Sequence, residues 1–245
     1  MKTAIIIPTR MASKRFPNKP MAKIDGIPMI ERVWRQGIDS KIGDVFVACC
    51  EDEIFDLISS KGGKAIMTKP DLQSGTDRVF EAFSSLSNKD DYESIINLQG
   101  DMPFVGPLTL QSVNVPLNYG YEIGTISTNI SREEVRNTNI TKVIIDWDKS
   151  NFVGDSIDFY KDLRNQYENI YQHVGIYSFK PEALYKFVSL KPSKNEIDRS
   201  LEQFRALDEG IKIGITYVEN VPISVDTLED LILIENILKN RHENK

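Results

Sequence analysis

The first half of the chain alternates short apolar runs with segments that carry apolar residues at helical spacing. Short apolar runs are typical of buried strands, whereas apolar residues at every third or fourth position are typical of amphipathic helices. The predicted strands are Thr3–Pro8, Asp44–Cys50, Lys64–Met67 and Ser94–Leu98. The predicted helices are Met29–Ile38, Glu51–Ser60 and Ser74–Ser85. This alternation predicts an α/β fold with a mostly parallel central sheet and helices on both faces.

The second half of the chain has a less regular pattern. The predicted strands are Ile123–Ile130, Thr141–Asp146, Gln172–Phe179 and Ile211–Val218. The predicted helices are Pro181–Leu190, Ser200–Glu209 and Thr227–Lys239. The polar stretch 148–169 is hard to assign, and no repeat or linker rich in Pro, Gly and Ser divides the chain. The sequence therefore predicts one domain over residues 1–245, with an irregular insertion around 147–171.

The bulk composition excludes several classes of protein. The 245 residues are 40% hydrophobic and 27% charged, with a formal net charge of −6. A nucleic-acid-binding protein normally carries a broad basic face, so we expect no nucleic-acid partner. No apolar run approaches the roughly 18 residues of a membrane-spanning helix, and no signal peptide precedes the first strand. We therefore expect a cytoplasmic protein without membrane insertion.

The two cysteines, Cys49 and Cys50, are adjacent in the sequence. Neighbouring cysteines rarely form a disulfide, and two are too few for a structural zinc site. They are best interpreted as the end of a buried strand.

A basic segment, PTRMASKRFPNKP (8–20), follows the first predicted strand. Arg10, Arg15 and Lys19 could clamp a polyphosphate, with planar contacts from arginine and a mobile point charge from lysine. Ser13 and backbone N–H groups could add donors. The alternative is a solvated basic loop without a ligand. Against the acidic background of the chain, the segment favours a small anionic ligand.

Two further segments, QGDMP (99–103) and SVDT (224–227), should meet the basic loop. Ligands of open α/β sheets bind beyond the carboxyl ends of the strands. Asp101 and Asp226 could hold Mg²⁺ beside phosphate oxygens, because Mg²⁺ prefers a few carboxylates together with phosphate and water. The alternative for Asp226 is a helix N-cap, supported by Thr227 next to it and Glu229 three positions on.

Other polar positions have structural and functional interpretations. In SGTDR (74–78), Arg78 could reach a base or a phosphate, or the segment could be a plain helix start. His173 lies in an alternating strand, where a lone histidine is usually structural. Glu202 and Gln203 lie in a predicted helix that could be a solvated face or could grip the hydroxyls and carboxylate of a sugar acid.

Taken together, these segments resemble the 3-deoxy-manno-octulosonate (Kdo) cytidylyltransferase family. The resemblance covers nearly the whole chain in collinear order. Its motifs are PTRMASKRFPNKP, DGIPMI, SGTDR, NLQGDMP, HVGIYSF, LEQFRAL and VDTLEDL. It implies a Rossmann-like nucleotidyltransferase fold of the glycosyltransferase-A type and a homodimer. It also implies transfer of CMP from CTP to the anomeric hydroxyl of a 3-deoxy-2-ulosonic acid with release of pyrophosphate, for lipopolysaccharide or capsule synthesis.

The resemblance also implies roles for individual residues. The triphosphate would be held by four side chains, of which Arg15 and Lys19 stabilise departing charge: Arg10, Ser13, Arg15 and Lys19. The other nucleotide contacts would be Pro8, Ala48, Ser74, Gly75 and Arg78. Asp101 and Asp226 would bind Mg²⁺. The sugar acid would face Gln99, His173, Tyr177, Glu202 and Gln203.

The chain departs from the family pattern at three places. Met102 stands where the family usually has Glu, and Cys49-Cys50 stands where it usually has Thr-Asp. After KVIID (142–146), the Phe-Ser-Arg segment of the family is missing. The acceptor could therefore be Kdo or a close analogue. The alternatives are a cytidylyltransferase for a sialic-acid-like or phosphonate substrate and a non-catalytic CTP-binding protein.

Overall fold

The computed structural model describes residues 1–13, 15–148, 152–162, 169–219 and 223–243. The strands are β1 Thr3–Pro8, β2 Lys23–Ile24, β3 Ile27–Pro28, β4 Gly43–Cys49, β5 Lys64–Met67, β6 Ser94–Asn97, β7 Ile123–Thr128, β8 Lys142–Trp147, β9 Val153–Tyr160, β10 Ile170–Phe179 and β11 Ile213–Tyr217. The helices are α1 Met29–Ser40, α2 Asp52–Ser60, α3 Gly75–Ser85, α4 Pro107–Val113, α5 Val115–Asn118, α6 Pro181–Ser189, α7 Lys194–Arg199, α8 Phe204–Leu207 and α9 Leu228–Glu243. The predicted α/β class is confirmed.

The chain forms two compact units. The N-terminal unit consists of Thr3–Asp91, Asn97–Pro107 and Pro222–Lys245. The central unit consists of Met1–Lys2, Tyr92–Ile96 and Leu108–Val221. The single domain over 1–245 stays a prediction.

In the N-terminal unit, parallel strands bring several loops to one sheet edge. β4 pairs in parallel with both β1 and β5, and the register places Pro8 beside Ala48. The Thr9 amide donates to the Ala48 carbonyl at 2.9 Å, and the Leu98 amide donates to the Ile6 carbonyl at 3.1 Å. The segments after β1, after β4 and around residue 99 therefore lie at the carboxyl edge, where α/β sheets bind ligands.

The C-terminal helix α9 belongs to the same unit. Val225 and Ile234 are buried in a cluster with Ile24 and Met29. The Val225 amide also donates to the Asp101 carbonyl at 2.9 Å, which joins the QGDMP and SVDT segments. These two predicted neighbours therefore do meet.

Helix α9 starts differently from the capping alternative considered for Asp226. The Thr227 hydroxyl accepts from the Asp230 amide at 3.3 Å, and the Asp230 carboxylate accepts from the amides of Asp226 at 2.9 Å and Thr227 at 2.8 Å. Thr227 and Asp230 therefore form the reciprocal cap. The N-cap interpretation of Asp226 with Glu229 is wrong by one position, and the Asp226 carboxylate is left for other contacts.

The central unit is mainly antiparallel. β10 pairs antiparallel with β7 and with β8, β9 pairs antiparallel with β8 and β11, and β7 pairs in parallel with β11. These pairings close a circuit of five strands. The mostly parallel arrangement predicted for the whole sheet therefore holds for the N-terminal unit and needs correction in the central unit.

Part of the predicted insertion around 147–171 is strand β9. The sequence does not predict this strand because its apolar pattern is irregular. Ser156 is buried, whereas the neighbouring Ile157 is 56% exposed. The ladder with β8 also shifts register between Ile144 and Ile145. A shift of this kind disrupts the period-two pattern from which strands are predicted.

The predicted helix Ser200–Glu209 is also wrong. Helix α7 ends at Arg199, Ser200 has a left-handed φ of 53°, and helical structure resumes only in the short α8. A non-glycine residue in this conformation ends a helix. Glu202 and Gln203 therefore lie in the turn between two helices, not on a continuous helical face.

Cys49 is the last residue of β4, and Cys50 follows it. Cys49 is buried at the end of β4 and both cysteines are free thiols, as expected for the end of a buried strand. Among the helices that the structure describes, none combines the length and the apolar character needed to cross a bilayer.

Candidate active site

A cavity of about 730 Å³ lies in the N-terminal unit, at the carboxyl edge of its strands. The loop after β1, the start of α3 and the segment after β6 supply its walls. Its lining residues are Pro8, Thr9, Arg10, Ala12, Ser13, Arg15, Lys19, Pro20, Leu72, Gln73, Ser74, Gly75, Arg78, Gln99, Gly100 and Asp101. Among these residues, four are cationic and one is a carboxylate, so the cavity suits an anionic ligand of several charges.

Lys19 is the centre of an ion-pair network. Its ammonium lies 2.9 Å from the Asp101 carboxylate and 3.5 Å from that of Asp226. The Arg15 guanidinium lies 2.9 Å from the same Asp226 oxygen. The Lys19 side chain is only 16% exposed, whereas that of Arg15 is 63% exposed. Two carboxylates that are distant in the sequence therefore converge on one partly buried cation.

The loop that carries these cations is fixed by backbone contacts. The Met11 amide donates to the Glu51 carboxylate at 2.9 Å, which ties the loop to the start of α2. The Ser13 hydroxyl accepts from the Phe16 amide at 3.4 Å, and Asn18 has a left-handed φ of 58° just before Lys19. Arg10 is exposed and has no ion pair with any residue that the structure describes. Its charge is available to a ligand.

Helix α3 begins at the wall of the cavity. The Ser74 hydroxyl accepts from the Asp77 amide at 3.1 Å, and the Asp77 carboxylate accepts from the Ser74 amide at the same distance. This capping box uses donors that would otherwise be free for an anion. The alternative of a plain helix start is therefore correct for the backbone, while Ser74, Gly75 and Arg78 still face the cavity.

Arg78 is buried although it lines the cavity. It is 2% exposed and donates to the Thr68 hydroxyl, which in turn donates to the Cys49 carbonyl at 2.9 Å. This chain fixes the guanidinium at the end of β4. It is one fixed cation of the cavity, in contrast to the exposed Arg10.

The segment after β6 forms another wall. The Gln99 amide nitrogen donates to the Asn97 side chain at 3.0 Å, and the Asn97 amide nitrogen donates to the Thr76 hydroxyl at 3.3 Å. At Gly100, an added Cβ would lie 3.0 Å from the Pro8 carbonyl. A larger residue there would be tight against the Pro8 carbonyl, because the two backbones approach closely.

Most of the residues predicted to contact the nucleotide come together. Pro8, Arg10, Ser13, Arg15, Lys19, Ser74, Gly75 and Arg78 line the cavity, together with Gln99 and Asp101. Ala48 does not line it; it is fully buried in β4, where its carbonyl accepts from Thr9. Sequence reasoning missed Glu51, because a contact over 40 positions leaves no local signal.

The other residues predicted to face a sugar lie in the central unit. The rings of His173 and Tyr177 lie 5.4 Å apart on β10. Desolvation lowers the pKa of His173 to about 3, so the imidazole is neutral. Burial, and then the charge of Glu202, raise the pKa of Tyr177. Gln203 is buried, and its amide nitrogen has no hydrogen-bond partner among the described residues.

Asp101 and Asp226 are the candidate ligands for magnesium. No cluster of three or more metal-ligating side chains occurs in the described part of the chain. Asp101 and Asp226 do converge on Lys19 at the wall of a cationic cavity. Two carboxylates with room for phosphate and water match the preference of Mg²⁺, so these residues fit the ion.

Comparison with known proteins identifies the family. A family model for cytidylyltransferases matches residues 4–213. The chain is 39% identical over 238 residues to the 3-deoxy-manno-octulosonate cytidylyltransferase of Paramagnetospirillum magneticum. The aligned region covers 96% of this chain and 97% of that protein. It is 42% identical over 230 residues to the enzyme of the same name from Rickettsia rickettsii, and the aligned region covers 93% of each protein.

A solved structure agrees with this assignment. The structure of CMP:2-keto-3-deoxy-manno-octonic acid synthetase complexed with CTP has a TM-score of 0.88 and 29% identity, and the match covers 98% of this chain and 100% of that one. The predicted nucleotidyltransferase fold is thereby confirmed. The chain belongs to the cytidylyltransferase family and, within it, to the 3-deoxy-manno-octulosonate cytidylyltransferases.

Proposed function

We propose that this protein transfers CMP from CTP to Kdo and releases pyrophosphate. The observation that carries the proposal is the convergence of Asp101 and Asp226 on Lys19 at the wall of a cationic cavity. The relatives support it, because their names state this activity and one related structure holds CTP. The family model spans residues 4–213 and so includes every residue that lines the cavity.

The reaction joins the sugar to the α-phosphate. The anomeric hydroxyl oxygen attacks the α-phosphorus, the bond from that phosphorus to the pyrophosphate oxygen breaks, and the hydroxyl proton is lost. Such transfers depend on positioning and charge neutralisation more than on covalent catalysis. Arg10, Arg15 and Lys19 would hold the triphosphate and neutralise the charge that develops on the leaving pyrophosphate.

Magnesium is part of the proposal. Asp101 and Asp226 would hold Mg²⁺, which when bound would add positive charge beside the phosphate oxygens. In the structure, Arg15 and Lys19 engage these same carboxylates. A triphosphate that binds the two cations would therefore release the carboxylates for the metal.

The proposed contacts of the sugar acid come from five residues. Gln99 lines the cavity, and His173, Tyr177, Glu202 and Gln203 are the proposed contacts in the central unit. The missing Phe-Ser-Arg segment leaves a close analogue of Kdo as a second acceptor. The homodimer, the cytoplasmic location and the role in surface-glycan synthesis are further proposals that rest on the family resemblance.

The test is pyrophosphate release from CTP and Mg²⁺ with a panel of acceptors. We expect turnover with Kdo and little or none with sialic acids, phosphonates or sugar 1-phosphates. Turnover with one of the other acceptors alone would reassign the substrate. If calorimetry shows that CTP binds while every acceptor fails, the protein is a nucleotide-binding protein and the proposal is wrong.

A further inference from the structure

We infer that Thr125 holds His173 in the tautomer with a proton on Nε2, so that Nδ1 accepts a hydrogen bond from a hydroxyl of the sugar acid. This inference rests on the proposed function for the identity of the ligand. Its first part, the tautomer, rests on hydrogen-bond geometry in the central unit alone.

A bulge in β10 creates the geometry. The ladder between β10 and β7 shifts register between Val174 and Tyr177, so that Thr125 lies opposite Tyr177 while Ile126 lies opposite Val174. Extra residues of this kind disrupt the ladder locally and often lie next to functional sites. Fully buried Thr125 therefore faces carbonyl groups of the bulge.

The Thr125 hydroxyl has three neighbours but only one proton. It lies 2.8 Å from the Ile176 carbonyl oxygen, 3.2 Å from that of Val174 and 3.0 Å from Nε2 of His173. Carbonyl oxygens can only accept. If the hydroxyl donated to Nε2, its lone pairs would face both carbonyl oxygens with no proton between them. The hydroxyl therefore donates to a carbonyl and accepts from an Nε2–H group.

The other ring nitrogen is then an acceptor. Burial disfavours the charged imidazolium, and a neutral imidazole with a proton on Nε2 has a lone pair on Nδ1. Nδ1 makes no hydrogen bond with a described residue. The hydroxyl of Ser127, directly opposite His173 in the ladder, is also without a partner in that part of the chain. The protein thus holds Nε2 in a hydrogen bond and leaves Nδ1 without a hydrogen-bond partner among the described residues.

Aromatic contacts hold the ring in place. The rings of Phe159 and His173 lie edge to face with their centroids 5.0 Å apart. The centroids of the Tyr177 and His173 rings lie 5.4 Å apart. A ring that contacts two aromatic side chains and is bonded at Nε2 cannot turn without losing these contacts. His173 can therefore accept from a hydroxyl group at Nδ1 but cannot donate to a carboxylate there. Thr125 is a positioning residue, because it acts through His173.

The tautomer can be read directly by ¹⁵N NMR of the imidazole rings. The chain contains only two histidines, so a His242→Gln variant assigns the signals of His173 by subtraction. We expect a protonated Nε2 and an unprotonated Nδ1 in the protein without substrates. Thr125→Val should populate the other tautomer, and Thr125→Ser, which keeps the hydroxyl, should restore the original pattern. An unchanged Nε2–H signal in Thr125→Val would overturn the inference.

Substrate binding tests the second part. Adding Kdo should move the Nδ1 resonance of the original protein as the nitrogen accepts a hydrogen bond. Thr125→Val should raise KM for Kdo roughly fivefold to tenfold, the usual effect of one lost hydrogen bond, and leave KM for CTP within about twofold. Equal KM values for Kdo in the valine and serine variants would contradict the assignment.

The two proposals fail in different ways. A protein that releases no pyrophosphate with Kdo contradicts the proposed function and removes Kdo as the ligand of Nδ1. The tautomer spectrum is recorded without substrates, and it supports or overturns the role of Thr125 in either case. Circular dichroism and thermal unfolding of both Thr125 variants show whether a loss of binding reflects a loss of fold.

Discussion

Two ion-pair networks, one in the N-terminal unit and one in the central unit, use charge in different ways. In the N-terminal unit, the paired groups face a cavity and remain partly exposed, as in the contacts of Arg15 and Lys19 with Asp226. In the central unit, the Arg205 and Glu196 side chains form a bidentate pair and are only 9% and 12% exposed, and the histidine is neutral. The network around Lys19 can thus be redistributed by a ligand, whereas the pair of Arg205 and Glu196 stabilises the fold.

The largest expected effect is at the cavity. Asp101→Asn keeps the size of the side chain but removes the charge, and we expect kcat to fall by about a thousandfold, because the carboxylate that would hold Mg²⁺ beside the reacting phosphates is lost. The thermal midpoint should change little. The matched control is Asp90→Asn, which alters an exposed carboxylate outside the cavity. Activity within tenfold of the original would show that Asp101 is not part of the catalytic site.

The opposite result is expected for the buried pair of the central unit. Arg205→Met leaves the Glu196 carboxylate without its bidentate partner, which should lower the free energy of unfolding by about 3 kcal/mol. Lys64→Met breaks the exposed pair with Asp44 and should cost less than about 1 kcal/mol. Urea unfolding of both variants measures the difference. Equal decreases in the free energy of unfolding would contradict the expected difference between buried and exposed pairs.

The neutral histidine makes stability depend on pH. Because the pKa of His173 falls from 6.5 unfolded to about 3 folded, the unfolded state binds the extra proton as the pH falls below 6.5. The stabilisation is complete above pH 6.5 and is lost progressively toward pH 3; at pH 5 the loss is about 2 kcal/mol. His173→Gln should flatten the dependence between pH 7.5 and 5 by this amount. Parallel curves for the two proteins would contradict the neutral, buried state.

The smallest effect concerns the tether of the basic loop. Glu51→Ala removes the acceptor of the Met11 amide, and we expect KM for CTP to rise a few-fold, which corresponds to about 1 kcal/mol. Glu51→Gln keeps a side-chain oxygen and serves as the control. Steady-state kinetics with CTP as the varied substrate distinguish them. An alanine variant with unchanged KM would show that the loop holds its position without Glu51.

Much of the N-terminal unit could be predicted from its sequence. Strands β1 and β5 have the predicted bounds, and β4, α2 and α3 agree within one residue. These elements follow regular apolar periods, and parallel strands bring their carboxyl ends to one edge. The basic loop and Asp101 could therefore be placed at a common site before any contact was known.

The central unit was harder to predict for physical reasons. β9 has a buried serine beside an exposed isoleucine, and the helix expected from Ser200 is interrupted by a left-handed residue. The contact between Thr125 and His173 joins positions 48 apart across a bulge. Local periodicity carries no information on such pairings, because register and bulges are set by tertiary packing.

The cap of α9 has a consequence for how this site can change. Since Thr227 and Asp230 start the helix, the side chain of Asp226 has no part in holding it together. Substitution of Asp226 should therefore alter ligand binding at little cost to folding. The helix cap and the ligand contact thus belong to neighbouring residues, Thr227 and Asp226. Selection can therefore change the chemistry of Asp226 without changing how α9 starts.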